Sequence, residues 1–192
     1  MIYIVCSDGE RFSSLEEQRA MSRKLLSDSL MNEFEIPTGT DEWIMNSWGK
    51  PFLKSRRDVY FSISHCTGGI SVSVSSCRTG IDIERIRPFS LPAARRMFSK
   101  EELREILNSD FPERNFFRLW TLKESYAKAI GTGLSYPLSE LHFANIAGQN
   151  IHCEREGCLF CLFENSLGFV TAVCFLSRDD RKKETVIYRR LP

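Results

Sequence analysis

The order of segments along the chain predicts an α+β protein built from two similar-sized halves. Three observations carry this. A strand, a long helix and several further strands fill residues 1–88, while helices followed by strands fill residues 89–192. The 192 residues suffice for one large domain or two small, closely packed ones. No low-complexity linker or break in composition separates the halves, so they are expected to form one compact unit.

The opening stretch "MIYIVCSDGE" reads as a strand. It is followed by a helix in "SSLEEQRAMSRKLLSDSLMNEF", where Ser14 and Glu17 fit a capping box and Leu15, Leu25, Leu26, Leu30 and Phe34 are compatible with a buried stripe. Pro37 and Gly39 end that helix. A short strand or turn around Trp43 to Trp48 leads into a Gly-Lys-Pro turn at Gly49, Lys50 and Pro51. Three strand-like runs follow, Val59 to Ser64, Gly69 to Cys77 and Gly80 to Ile86, with alternation clearest in "ISVSVS". The third run, "GIDIERI", looks like a strand paired back on the second. Ser90 opens a short helix to about Arg96, and Ser99 with Glu102 caps another in "EELREIL". A long helix runs from Pro112 to Ile130, stopped by Gly131 and Gly133. Strands are expected around Leu141 to Ala147, Cys158 to Glu164, Gly168 to Leu176 and Thr185 to Arg189.

Composition is that of an ordinary globular protein, 42% apolar and 27% charged. A formal net charge of +1 gives no global field for nucleic acid or an anionic membrane, so neither is expected as a partner. No segment reaches the roughly 18 consecutive apolar residues of a membrane span, and the N-terminal stretch does not look like a signal peptide. Seven cysteines without a disulfide pattern are expected as reduced thiols in a cytoplasm. His152, Cys153, Cys158 and Cys161 lie close in sequence and raise the question of zinc. Cys158 and Cys161, however, lie three apart on a strand and point to opposite faces, which favours small core residues.

The residues that carry chemistry begin with Asp82 and Glu84. Both project from one face of their strand while Ile81 and Ile83 point the other way, into the core. Adjacent carboxylates hold a proton or a cation, and Mg²⁺ takes one or two such acids together with substrate phosphates. Spacing alone leaves open a solvated edge with two ordinary acids. Trp120, Glu124 and Lys128 share one face of the long helix, so Glu124 can supply a third oxygen and Lys128 a cation one turn away, or the two form a plain intrahelical pair. Ser64 and His65 stand at a strand tip beside glycines, Lys50 stands on a rigid turn, and Arg23 lies in the first helix.

In sequence order these pieces resemble the 4'-phosphopantetheinyl transferase superfamily, Sfp type. The likeness rests on "WGKPFL", "FSISHC", "GIDIERIRP", "FSKEEL" and "FFRLWTLKESYAKAIGTGLSYPL", which cover about residues 46 to 138. It implies a fold of two pseudo-symmetric halves with the ligand at their interface. It also implies Mg²⁺-dependent transfer of phosphopantetheine from coenzyme A to a serine of an acyl or peptidyl carrier protein, with Mn²⁺ as an alternative metal. By that resemblance Asp82, Glu84 and Glu124 hold the metal, and Glu124, Lys128 and Asp82 serve catalysis. Ser64, His65, Gly49, Lys50, Pro51, Lys128 and, less securely, Arg23 face the coenzyme. Family members add lysines from the start of the first helix, where this chain reads "SSLEEQ". Met97 and Phe98 stand as carrier contacts or as core, and the resemblance implies a monomer. Two other functions compete: a non-catalytic coenzyme A-binding module that only docks carrier proteins, and a zinc-stabilised interaction module.

Overall fold

The computed structural model describes residues 1–7, 12–37, 39, 42–148, 151–153 and 155–176. The strand expected at Thr185 to Arg189 lies outside them. In chain order the elements are β1 (Ile2–Cys6), α1 (Leu15–Phe34), β2 (Trp43–Met45), β3 (Pro51–Leu53), β4 (Tyr60–Cys66), β5 (Gly69–Ser75) and β6 (Arg78–Arg85). They continue with α2 (Leu91–Met97), α3 (Lys100–Leu107), α4 (Pro112–Ile130), β7 (Phe143–Ala144), β8 (His152–Cys153), β9 (Cys158–Glu164) and β10 (Phe169–Leu176).

Two antiparallel three-stranded sheets, ordered β1-β5-β4 and β6-β10-β9, form the centre. Alternation along the strands explains how they stack. Tyr3, Val72, Val74 and Phe61 join Leu26 and Leu30 of α1 in one core. Ile2, Ile4 and Cys6 of β1 point the other way and meet Ile81, Ile83, Phe169, Val173 and Phe175 of the second sheet. The far face of that sheet, with Val170, Ala172 and Cys174, packs on Phe116, Leu119, Leu122 and Tyr126 of α4. The result is four layers, helix, sheet, sheet, helix, an α+β architecture as the sequence predicts.

Several sequence expectations change for physical reasons. The strand "GIDIERI" does not pair with β5; β6 ladders with β10 from Arg78↔Leu176 to Arg85↔Phe169. Its isoleucines need the first sheet as cover, and its other face must meet α4, so β6 leaves the β4–β5 hairpin. Gly80 permits that second contact: a Cβ there would lie 2.0 Å from the Ser125 carbonyl oxygen and 2.3 Å from the Ala129 nitrogen. The serine face of β4 and β5 is buried as well. Ser62 Oγ accepts the Ile81 amide at 3.1 Å and Ser73 Oγ accepts from the Thr79 hydroxyl at 3.0 Å, so hydroxyls satisfy polar groups along the seam between sheets.

In α1 the Ser14–Glu17 capping box forms as expected. Leu15, however, is exposed, and the buried positions are Gln18, Ser22, Leu26, Ser29 and Leu30. Ser22 and Ser29 are tolerated there because each hydroxyl donates to the carbonyl four residues back, at 2.6 Å. Cys158 packs against the α4 side of the second sheet and Cys161 against the opposite side, so the two thiols point apart. Phe98 is core, edge-on to Phe116 at 5.2 Å, which removes it as a docking contact, and Met97 packs partly buried against the same core.

Candidate active site

The site forms where β4, β6 and α4 meet. Ser64 near the end of β4, Asp82 on the α4-facing side of β6, and Lys128 in the last turn of α4 make one hydrogen-bonded group. Lys128 Nζ donates to Asp82 Oδ1 at 2.7 Å and to Ser64 Oγ at 2.9 Å, and the Ser64 hydroxyl donates to the same Asp82 oxygen at 2.8 Å. Asp82 and Ser64 are buried, so this is a desolvated arrangement rather than a surface ion pair. The other carboxylate oxygen, Asp82 Oδ2, is buried without a hydrogen-bond partner. Such an orphan is costly and marks a place for a missing cation or donor.

Glu84 and Glu124 complete the acidic side. Burial pushes the Glu124 carboxyl up to about 7, and the charges of Asp82 and Glu84 add to it while Lys128 opposes them. Glu84 is also raised, first by burial and also by the charge of Asp82, although Arg87 Nη1 donates to it at 2.7 Å. The three acids expected as metal ligands therefore share one electrostatic environment. Among the described residues no group of three or more His, Cys, Asp or Glu side chains converges as a ready metal cluster, and the Lys128 ammonium pairs with one oxygen of Asp82. The orphaned Asp82 oxygen and the half-buried Glu84 and Glu124 nevertheless suit a hard divalent cation, which takes carboxylate oxygens.

On the α1 side of β4, His65 Nδ1 meets Gln18 Oε1 at 2.8 Å, and Gln18 is in turn fixed through its amide to the Phe12 carbonyl at 2.8 Å. Burial lowers the His65 pKa, and the charges of Lys128 and Arg19 push the same way. Arg19 thus supplies a cation next to His65 from the helix whose first turn is acidic. Its sequence signal was the basic i, i+4 pair Arg19 and Arg23 on one helix face. Arg23 itself lies elsewhere. It lines a groove of about 720 Å³ with Leu30, Ile36, Trp43, Met45 and Leu53, and the structure does not bring it into the Asp82 group.

The Gly-Lys-Pro turn does come to the site, but not as its sequence suggests. Gly49, Lys50, Pro51, Trp48 and Lys128 line a cavity of about 230 Å³ together with Gly131 and Gly133. The Lys50 ammonium points inward, however, donating to the carbonyls of Thr79 at 2.9 Å, Lys128 at 2.5 Å and Ala129 at 3.3 Å. Its charge is committed to the protein, and burial with the Arg78 charge lowers its pKa to about 8. A buried acidic group beside a lysine, a histidine at a strand tip and an adjoining cavity suits a phosphorylated ligand.

Comparison with known proteins decides the family. The model of the 4'-phosphopantetheinyl transferase superfamily matches residues 78–174. The chain belongs to the 4'-phosphopantetheinyl transferase superfamily. It is 31% identical over 176 residues to the 4'-phosphopantetheinyl transferase Sfp of Bacillus subtilis (strain 168), covering 86% of this chain and 79% of that protein. The 4'-phosphopantetheinyl transferase ffp of Bacillus subtilis is 28% identical over 198 residues, covering 97% of this chain and 88% of the relative. A holo-[acyl-carrier-protein] synthase of Thermotoga maritima overlaps 54% of this chain and 64% of its own, with a TM-score of 0.43 and 22% identity. No helix among the described residues is long and apolar enough to cross a membrane.

The matched region contains β6 and α4, the two elements that present Asp82, Glu84, Glu124 and Lys128. It excludes the Gly-Lys-Pro turn, Ser64, His65 and Arg19.

Proposed function

We propose that this phosphopantetheinyl transferase moves the 4'-phosphopantetheine group of coenzyme A onto a serine of an acyl or peptidyl carrier protein, with Mg²⁺ (or Mn²⁺), and releases adenosine 3',5'-bisphosphate. The observation that carries this reading is the buried Asp82–Lys128–Ser64 group with its orphaned oxygen, flanked by Glu84 and Glu124, whose pKa values burial raises. We place the reaction in a cytoplasm, where the cysteines stay reduced, and take the enzyme as a monomer.

Asp82, Glu84 and Glu124 would hold the metal, which when bound neutralises charge on the coenzyme pyrophosphate. Lys128 presents an ammonium to the oxygens that gain charge as the bond between phosphorus and the leaving bisphosphate breaks. The carrier serine oxygen forms the new bond to phosphorus, and its proton passes to the Glu124 carboxylate, directly or through water. His65, oriented by Gln18, and Arg19 bind the 3'-phosphate, with Arg23 further along the same helix. Ser64 holds the Lys128–Asp82 pair in place. Gly49 and Pro51 wall the nucleotide cavity with the Trp48 ring. Binding the nucleotide away from the breaking bond positions the pyrophosphate at little further entropic cost.

Glu124 gives this reading a test without turnover. A carboxyl whose folded pKa is raised from 4.5 to about 7 favours the folded state fully below 4.5, and that contribution is lost as pH rises to about 7. Metal-free Glu124→Gln is therefore expected to be more stable than wild type at pH 8, by about 1–3 kcal/mol. Added Mg²⁺ raises the melting temperature of the wild type at pH 8 and leaves the variant unmoved. Its affinity for the wild type weakens as pH falls below about 7, where protons compete for Glu124. Equal melting of both proteins, with and without Mg²⁺, contradicts the assignment. A panel of apo carrier proteins assayed side by side tests activity and partner class together.

A further inference from the structure

The C-terminal end of α4 has an unusual cap. A helix leaves its last four carbonyls without partners inside the helix, here those of Lys128, Ala129, Ile130 and Gly131. All four are taken by side chains from earlier in the chain. Lys50 Nζ bonds the carbonyls of Lys128 and Ala129, Arg78 Nη2 bonds that of Ile130 at 3.0 Å, and Asn46 Nδ2 bonds that of Gly131 at 2.8 Å. The Asn46 side chain also organises the turn that carries Lys50. Its Oδ1 accepts the amides of Trp48 at 2.9 Å and Lys50 at 2.8 Å. Packing is tight at the junction, since a Cβ on Gly131 would lie 3.0 Å from Lys50 Cδ and 3.1 Å from Asn46 Nδ2. Gly131 has φ 83°, so the sharp helix stop that permits this contact needs glycine.

We propose that Asn46 and Lys50 are positioning residues: the β2–β3 turn clamps the end of α4 and so holds the Lys128 side chain on Asp82 and Ser64. Lys128 lies in the last helical turn, where an uncapped helix frays, and its own carbonyl is a clamp ligand. A cationic side chain at a helix C-terminus also meets the negative end of the macrodipole. Lys50 thereby acts through Lys128 rather than through contact of its charge with the coenzyme. The outer side of the same turn lines the cavity with Lys128, so a nucleotide resting there braces the clamp from the other side.

The inference rests on the proposed function for its kinetic readout, and hydrogen exchange provides a second readout independent of it. With coenzyme A and an apo carrier, Lys50→Met is expected to lower kcat about tenfold or more while KM for coenzyme A stays within about twofold. Lys50→Arg, which keeps a charged donor, recovers part of the loss. Adding Lys50→Met to Lys128→Ala costs nothing further, because both changes remove one function. A raised KM with unchanged kcat, or losses that multiply in the double variant, overturns the clamp in favour of direct coenzyme binding. If the wild type transfers nothing, the proposed function fails, and exchange of the amides of residues 128–131 then decides the clamp alone. About tenfold faster exchange in Lys50→Met and Asn46→Asp, without change in α1, supports it. Unchanged exchange in both variants overturns it.

Discussion

Asp82→Asn, an isosteric change, is expected to lower kcat by about 10³-fold or more while the protein stays folded. Among the described residues, Asp82 is the group that both pairs with Lys128 and presents an orphaned oxygen in the site. The amide still accepts the Ser64 hydroxyl, so packing survives. The counter-charge is lost, though, and an oxygen suited to a metal is replaced by a donor nitrogen. Adenosine 3',5'-bisphosphate binding without metal should persist or tighten, because the Lys128 ammonium is released from its carboxylate. Turnover and calorimetric binding on the same preparation check this. A non-catalytic docking module would instead show coenzyme affinity that survives the change with no wild-type turnover to lose.

The second large effect is on stability. Lys123→Met is expected to cost about 3–5 kcal/mol, read as a lower urea midpoint at unchanged slope. The Lys123 side chain is 1% exposed and that of Glu102 is 3% exposed. Lys123 Nζ donates to Glu102 Oε2 at 2.7 Å and to the carbonyls of Leu138 at 2.8 Å and Met97 at 3.3 Å. Glu102 accepts in addition from the amides of Ser99 at 2.8 Å and Phe143 at 3.0 Å. The pair therefore ties α3, the loop after α4 and β7 to the helix that bears Glu124. Burial lowers the Lys123 pKa, with the Glu102 bond and charge opposing that shift. Removing the lysine strands a buried carboxylate, so adding Glu102→Gln should recover part of the loss. A single-variant cost below about 0.5 kcal/mol contradicts this account.

How much of this was legible in the sequence depended on how local each signal was. The α1 and α3 capping boxes, the Pro112 to Ile130 helix and the opposite facing of Ile81 and Asp82 follow from spacing alone, and they are found as expected. The partner of β6 was not legible, because its ladder joins residues more than 80 apart and only the burial of both faces explains it. Lys123 has no clear role in the sequence, since nothing in "TLKES" announces that Glu102 waits for it inside the core. The Lys50 charge was misplaced for a related reason. A lysine on a rigid turn reads as a surface residue and the family resemblance implies a coenzyme contact, whereas the open carbonyls at the end of α4 draw it inward. Gln18 and Asn46 carried too little local signal to stand out, and only their three-dimensional neighbours give them roles.

The central claim is best tested by incubating the purified chain with coenzyme A, Mg²⁺ and an apo carrier protein, then weighing the carrier intact. The account predicts a mass gain of about 340 Da on the carrier, the size of one phosphopantetheine group, abolished by a chelator and restored by added metal. An unmodified carrier across the whole panel with metal present would contradict it.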